Sequence, residues 1–163
     1  MSRYCLIALL LCLALFFAAS AYASQTIYVG RGGSAGDGLS ADRPLSSINA
    51  ALKKARKGDV VVVAPGEYRE SVQVTVSGVT VQGSVSEDNI PLVSILPPSE
   101  KAASVLVDST DTVWRGVGFH PAGRVAVTLR GFSGRFERCL FASFSTVPGI
   151  EVYGGNLVFP GCT

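Results

Sequence analysis

The sequence predicts an all-β chain wound into a parallel β-helix, a solenoid with coils of about 22 residues and an amphipathic helix at its N-terminal end. Three observations carry that expectation. Large apolar residues recur at one spacing: Trp114 and Phe136, Phe136 and Val158, Phe119 and Phe141, Val105 and Val127, and Val107 and Leu129 are each 22 residues apart. Of the 21 valines, 20 follow Asp59, and β-branched side chains favour pleated surfaces. The apolar runs are short, are punctuated by Pro65-Gly66, Ser77-Gly78, Pro97-Pro98, Pro121-Ala122-Gly123 and Gly154-Gly155, and no second helical pattern interrupts them. An alternating β/α architecture does not fit. An antiparallel sandwich would not repeat one period in several phases. In a parallel coil, equivalent residues stack ~4.8 Å apart, and inward Val, Phe, Trp and Leu form ladders along the axis.

Residues 1–23 read as a secretory leader. Met1-Ser2-Arg3-Tyr4 is a short basic start, Cys5 to Ala19 is an unbroken apolar run, and Ala21-Tyr22-Ala23 supplies a small-residue cleavage site before Ser24. The run is shorter than the ~20 residues a membrane-spanning helix needs. The chain left after cleavage is expected to be secreted, with no membrane association. The whole chain has 14 Lys+Arg and 12 Asp+Glu, a net charge of +2 that falls to +1 when Arg3 leaves with the leader. That balance gives no support for nucleic-acid binding. One His among 163 residues excludes a His-rich metal site.

Residues 24–58 form the first region. Gln25 to Val29 reads as a strand, and Gly30 to Pro44 as a Gly/Ser/Asp loop. The glycines Gly30, Gly32, Gly33, Gly36 and Gly38 are not followed by Gly-Lys-Ser/Thr, so a phosphate loop does not fit. Leu45 to Lys57 is the one helical pattern, with Ile48, Ala51, Leu52 and Ala55 on one stripe. Ser46 or Ser47 can begin it and Gly58 can end it. The basic cluster Lys53-Lys54-Ala55-Arg56-Lys57 then lies at its last turns, where positive charge complements the helix dipole.

Residues 59–163 are the coil region, long enough for four to five coils. Val60–Val63, Val72–Val76, Val79–Val81, Leu92–Leu96, Val105–Val107, Val113–Phe119, Val125–Leu129, Phe136–Phe141, Ile150–Val152 and Leu157–Phe159 are its apolar runs. Gly78-Val79-Thr80-Val81-Gln82-Gly83 resembles Thr112-Val113-Trp114-Arg115-Gly116 at a longer offset, which an insertion around Ser84–Ala103 accounts for.

Ile27-Tyr28-Val29, Gly36-Asp37-Gly38-Leu39-Ser40, Pro44 to Leu52 and Gly58 to Glu70 together resemble the start of secreted right-handed parallel β-helix proteins of the pectin lyase-like superfamily. The match covers residues 27–83 well and the later coils by period only. The resemblance implies a strand, loop and helix covering the N-terminal end of a right-handed solenoid, with the Pro65-Gly66-Glu67-Tyr68 segment in the first coil. The superfamily holds lyases, polygalacturonases, pectin esterases, alginate epimerases and non-catalytic surface proteins, and fold does not choose among them. The aspartate motifs of polygalacturonases, Asn-Thr-Asp and Gly-Asp-Asp, are absent. The Gly66-x-Tyr68-x-Glu70 element is shared with pectin esterases, but their paired catalytic aspartates have no counterpart. A calcium-dependent lyase would need several carboxylates on the metal. The weak metal candidates are Asp108 and Asp111, three residues apart in the coils.

Arg115, Arg130, Arg135 and Arg138 are the candidate polysaccharide-binding residues, since guanidinium groups hold carboxylates bidentately. Solvated charge on an outer strand face is the plainer account. His120, before Pro121, reads as a turn residue with no orienting carboxylate beside it in sequence. Trp114 reads as core. Cys139 and Cys162 are 23 apart, close to one coil, so they form either a disulfide or a buried thiol and its neighbour. The sequence stops two residues after Pro160-Gly161, inside a coil. The expectation is a longer protein, or a partner that covers an uncapped end, including a second copy of the chain. Three functions fit: binding of acidic extracellular polysaccharide without catalysis or cofactor, the first part of a lyase, esterase or hydrolase (with calcium if a lyase), and a structural or adhesive solenoid.

Overall fold

The computed structural model describes residues 23–31, 36–100, 104–121, 125–143 and 149–163. Residues 1–22 of the leader, Gly32 and Gly33 of the loop, and the Ala122-Gly123 turn lie outside the described residues. The elements run β1 Thr26–Val29, α1 Ile48–Lys54, β2 Val60–Val63, β3 Gly66–Arg69, β4 Val72–Val74, β5 Thr80–Gln82, β6 Val93–Leu96, β7 Val105–Val107, β8 Thr110–Arg115, β9 Val117–Phe119, β10 Val127–Glu137, β11 Leu140–Phe141 and β12 Ile150–Val158.

Every pairing between these strands is parallel. The chain winds as a right-handed β-helix of about four turns with three walls. Wall one is β1, β2, β5, β8 and the later halves of β10 and β12. Wall two is β3, β6, β9 and β11. Wall three is β4, β7 and the first halves of β10 and β12. Across the loop and helix β1 and β2 are offset by 34 residues, and from β2 onward successive rungs of wall one are offset by 20, 33, 22 and 23. The long second offset is the expected insertion, which leaves the wall at its corners, on either side of β6.

Alternation sends every second side chain inward, so each wall carries its own ladders. Wall one stacks Ile27, Val61, Val81, Trp114 and Phe136. Wall two stacks Tyr68, Ile95, Phe119 and Phe141. Wall three stacks Val72, Val105, Val127 and Ile150, and beside them Val74, Val107, Leu129 and Val152. The aromatic ladders meet inside the solenoid. Trp114 stacks on Phe136 at 6.4 Å between centroids, and Phe119 meets both rings edge-on at 5.3 and 5.9 Å. Such pairs contribute about 0.5–1.5 kcal/mol each beyond burial itself.

The last rung departs from the 22-residue expectation. Its offset is 23, so Val158 stands opposite Arg135 and is half exposed. Phe159 takes the ladder place instead, stacked on Phe136 at 5.5 Å and 10°. Two predicted runs also fuse with their successors. β10 and β12 pass from wall three to wall one without breaking, because Gly131 (φ 58°) and Gly154 (φ 82°) turn the backbone where other residues would be strained. Conversely, the run Val113–Phe119 divides at Gly116. There the chain turns sharply, and a Cβ on Gly83 of the rung below would run into the Gly116 carbonyl oxygen.

Helix α1 is shorter than the pattern suggested. It spans Ile48–Lys54 and ends at Ala55, which is extended, so Gly58 is not its terminator but the turn into β2. Ser47 is the N-cap, and Ile48, Ala51 and Leu52 are buried on β1, β2 and β4. Two carboxylates hold it. Glu70 accepts from Ser47 Oγ (2.7 Å), from the backbone N–H groups of Ile48 (2.8 Å) and Asn49 (3.1 Å), and from Asn49 Nδ2 (3.0 Å). The nearly buried Asp59 accepts from the N–H groups of Gln25 (2.9 Å) and Arg56 (2.8 Å). Arg56 and Lys57 thus follow the helix rather than belong to it, and only Lys53 and Lys54 lie in its last turn.

Three outcomes follow for chemical denaturation. Glu70→Ala strands helix N–H groups at once and is expected to lose about 1.5–3 kcal/mol, the scale of hydrogen bonds to a charged group. Phe136→Ala empties the centre of the aromatic stack and is expected to lose about 3–5 kcal/mol. Trp114→Phe keeps a ring in the stack and removes a buried indole N–H that has no partner among the described residues, so its loss should be smaller than that of Phe136→Ala.

Candidate functional site

The outward residues of wall three are as strictly aligned as the inward ones. Gln73, Leu106, Thr128 and Glu151 occupy one row across four rungs. One pleat further on, Arg130 stands opposite Tyr153. Two shallow depressions, of about 270 and 260 Å³, lie along this wall and share Ser71 and Gln73. The first runs toward α1 and is lined by Asn49, Lys53 and Thr75; the second runs up the wall past Thr128, Arg130, Glu151 and Tyr153. Together they make a polar groove parallel to the solenoid axis. Its lower end is set by α1. Asn49 donates from Nδ2 to the Ser71 carbonyl (2.9 Å) and accepts from the Gln73 N–H (3.0 Å). Its upper end carries an exposed Tyr153, whose hydroxyl donates to Glu151 (3.2 Å).

The four candidate arginines are not brought together. Arg115 and Arg135 lie on wall one and share Glu137: Arg115 Nε donates to it at 2.7 Å and Arg135 Nε approaches at 3.4 Å. The hydrogen bond from Arg115, with the positive charges of Arg115, Arg135 and Arg138 around it, holds the Glu137 carboxyl below its ordinary 4.5. Arg138 sits at the corner after wall one, with φ 50° and its N–H on the Pro160 carbonyl (3.0 Å). Only Arg130 faces the wall-three groove.

The two candidate metal carboxylates also separate. Asp108 follows directly on β7, its N–H on the Val74 carbonyl (2.9 Å). Asp111 has turned into the left-handed region (φ 56°) and contacts Ser133 at 3.4 Å on the neighbouring rung. Among the described residues, no group of three or more His, Cys, Asp or Glu side chains is placed to hold a metal ion.

His120 closes β9 at the edge of wall two, its N–H on the Ile95 carbonyl (3.0 Å) and its own carbonyl accepting from Ser104. The ring folds over Gly118, whose absent Cβ would lie 3.3 Å from Nε2 and 3.8 Å from Ser94 Oγ. Burial pushes its pKa below 6.5, and Glu67, on the same outer row as Ser94 and Gly118, pulls the other way. Glu67, 53 residues away in sequence, is thus on the same wall as this histidine, a placement that only the coil register could reveal. The Tyr68 and Glu70 of the esterase-like element serve the fold. Tyr68 is buried with its hydroxyl on the Ala64 carbonyl (2.8 Å), and Glu70 is spent on α1. Trp114 is wholly buried, as expected.

No protein-family model matches this chain, and no curated protein does. Among solved structures the fold is similar to that of a pectin methylesterase mutant (aspartate to alanine) in complex with hexasaccharide IV. The TM-score is 0.61 at 12% identity, covering 86% of this chain and 49% of that one. A deglycosylated pectin methylesterase from Aspergillus niger aligns with a TM-score of 0.46 at 14% identity, over 86% of this chain and 58% of that one. The likeness is one of fold, and this chain spans about half the length of the first esterase. Among the described residues no helix is long and apolar enough to cross a membrane.

The Glu137 cluster has a defined pH signature. A depressed carboxyl pKa means stability that is present above the ordinary glutamate pKa and lost as pH falls through the lower, folded value. Arg115→Gln should therefore lower the melting temperature at pH 7. The gap from the parent chain should close as acid protonates Glu137, and the Glu137 carbon resonance should titrate at higher pH in the variant.

Proposed function

We propose that this chain is an exported β-helix protein that binds acidic polysaccharide of the pectin class along the outer face of wall three, without catalysing its cleavage. The observation that carries the reading is the pairing of Arg130 with Tyr153 on adjacent rungs, at one end of a groove that also presents Ser71, Gln73 and Thr128 beside Leu106 and Val125. A guanidinium can hold a uronate carboxylate by two parallel hydrogen bonds. A tyrosine offers a sugar ring an apolar body with a polar tip. Four rungs at ~4.8 Å spacing make a track ~14 Å long, which suits an extended polymer rather than a compact ligand. Export is supported by the three-part leader of residues 1–23. The fold likeness to a pectin methylesterase that carries a hexasaccharide supports the ligand class.

Two features support binding without catalysis. The sequence lacks the clustered aspartates of polygalacturonases and the paired ones of pectin esterases. On wall three, Asp108 and Glu151 lie on rungs separated by β10, and Glu151 is engaged by Tyr153. The reading requires no cofactor. The second reading, the first part of a pectin-acting enzyme, draws on the chain's spanning 49% of the esterase; calcium would enter only if that enzyme were a lyase.

Calorimetric titration with polygalacturonate tests the proposal. Binding should weaken as salt rises, as screened charge pairs do. Arg130→Ala should weaken it about tenfold, equivalent to about 1.4 kcal/mol. Arg115→Ala should leave it unchanged. Equal affinity for fully methyl-esterified polymer, or no effect of Arg130→Ala, would rule the site out. Methanol release from esterified pectin would establish an esterase, and near-ultraviolet absorbance from unsaturated uronates a lyase. Concentration-dependent self-association without sugar binding would favour a structural solenoid.

A further inference from the structure

Cys139 and Cys162 stand directly opposite one another on neighbouring coils. The register follows from the backbone. Thr163 N–H donates to the Cys139 carbonyl (3.1 Å) and Phe141 N–H donates to the Thr163 carbonyl (2.9 Å). That alternation sets Thr163 opposite Leu140, and therefore Cys162 opposite Cys139, continuing the 23-residue offset of β10 and β12. Neighbouring parallel residues have Cα atoms ~4.8 Å apart, within the 4.4–6.8 Å range that disulfides span. Both side chains turn toward the core. Cys139 is 1% exposed, one rung above Val117, with its thiol near the carbonyls of Trp114 (3.6 Å) and Glu137 (3.5 Å). The Cys162 thiol donates to the carbonyl of Phe136 (3.0 Å), the residue just before Glu137, whose carbonyl the Cys139 thiol meets. Both are free thiols here.

We propose that these two residues are an oxidation site, forming one intercoil disulfide that locks the last coil to the coil beneath it. The linked segment contains β11, the whole of β12 and Phe159, the last ring of the aromatic stack. A crosslink at its far end would hold that ring on Phe136 and keep β12 paired along its length. The oxidant is a small disulfide such as glutathione disulfide. A Cys162 thiolate attacks one sulfur of the oxidant, the oxidant's S–S bond breaks, and one glutathione leaves as thiolate. The Cys139 thiolate then attacks the Cys162 sulfur and expels the second glutathione. Two electrons pass from the cysteines to the oxidant, and the two thiol protons end on the two glutathiones. The order follows from burial, because the thiolate is the nucleophile and desolvation pushes the Cys139 thiol up to about 12. Cys162, at the edge of the core, is the residue an oxidant can reach. The proposal is independent of the polysaccharide reading.

The test is disulfide mapping of the full chain after equilibration with oxidised and reduced glutathione. Cleavage after glutamates, under non-reducing conditions, separates Arg138–Glu151 from Val152–Thr163. The expected product is these two peptides joined, lighter by two hydrogens than their sum, and parted by reductant. Separate peptides, each alkylated or glutathionylated, from chain that keeps its β circular dichroism would overturn the proposal. So would either cysteine joined to Cys5 or Cys12. Single variants test the order. In Cys139→Ser the reaction should stop at a glutathione adduct on Cys162. In Cys162→Ser, Cys139 should be modified on the order of 100-fold more slowly until denaturant is added. Equal rates in the folded chains would overturn the order. If a serine variant does not fold, peptide mapping of the parent chain decides the matter.

Discussion

Everything in this molecule depends on side chains stacking in register along a parallel solenoid. A residue that points inward must fit the residue one coil below it, ~4.8 Å away, and the residue one coil above. Val81, Trp114 and Phe136 satisfy that demand on wall one, and Ile95, Phe119 and Phe141 on wall two. Because Trp114, Phe119 and Phe136 interlock across the two walls, neither ladder can slip without breaking the other. Extra residues are therefore accommodated at the corners. The 33-residue offset between β5 and β8 shows this, since its strands still pair in unbroken parallel register.

The same constraint explains the helix. Seven residues are too few for a helix to persist by propensity alone. Helix α1 exists because Ile48, Ala51 and Leu52 are buried on the first rungs and because Glu70, from wall three's approach, satisfies its first N–H groups. Asn49 then passes that order outward, fixing Gln73 and Ser71 at the lower end of the polar groove. Packing thus reaches the surface through one short chain of hydrogen bonds. Once inward positions are committed to stacking, outward positions are aligned without further cost, which is how a polar track on wall three can arise from residues scattered between 71 and 153.

Much of this was legible beforehand and some was not, for identifiable reasons. The 22-residue spacing correctly paired Trp114 with Phe136, Phe119 with Phe141 and Val105 with Val127, because each pair lies within one uninterrupted coil. It failed at Val158, where one added residue turns that side chain out and Phe159 in. It also could not place Gln73 or Glu67 beside their neighbours. Both lie before the insertion, which breaks the count. The arginines illustrate the limit of composition: the four candidate guanidinium groups look alike in sequence, yet two share Glu137, one sits at a corner and, of the four, only Arg130 faces the groove.

By itself, then, the sequence determined the architecture. A valine-rich repeat of constant period, with one amphipathic stripe before it, admits few folds other than a parallel coil, since only stacking buries the same phase in every turn. The tertiary structure decided which surface matters and which residues meet. Whether Cys139 faces Cys162, whether Glu67 shares a wall with His120, and which arginine lines an open groove all depend on coil offsets of 20, 33, 22 and 23. Those offsets are set by corner turns and insertions, whose geometry is local and carries no periodic signal.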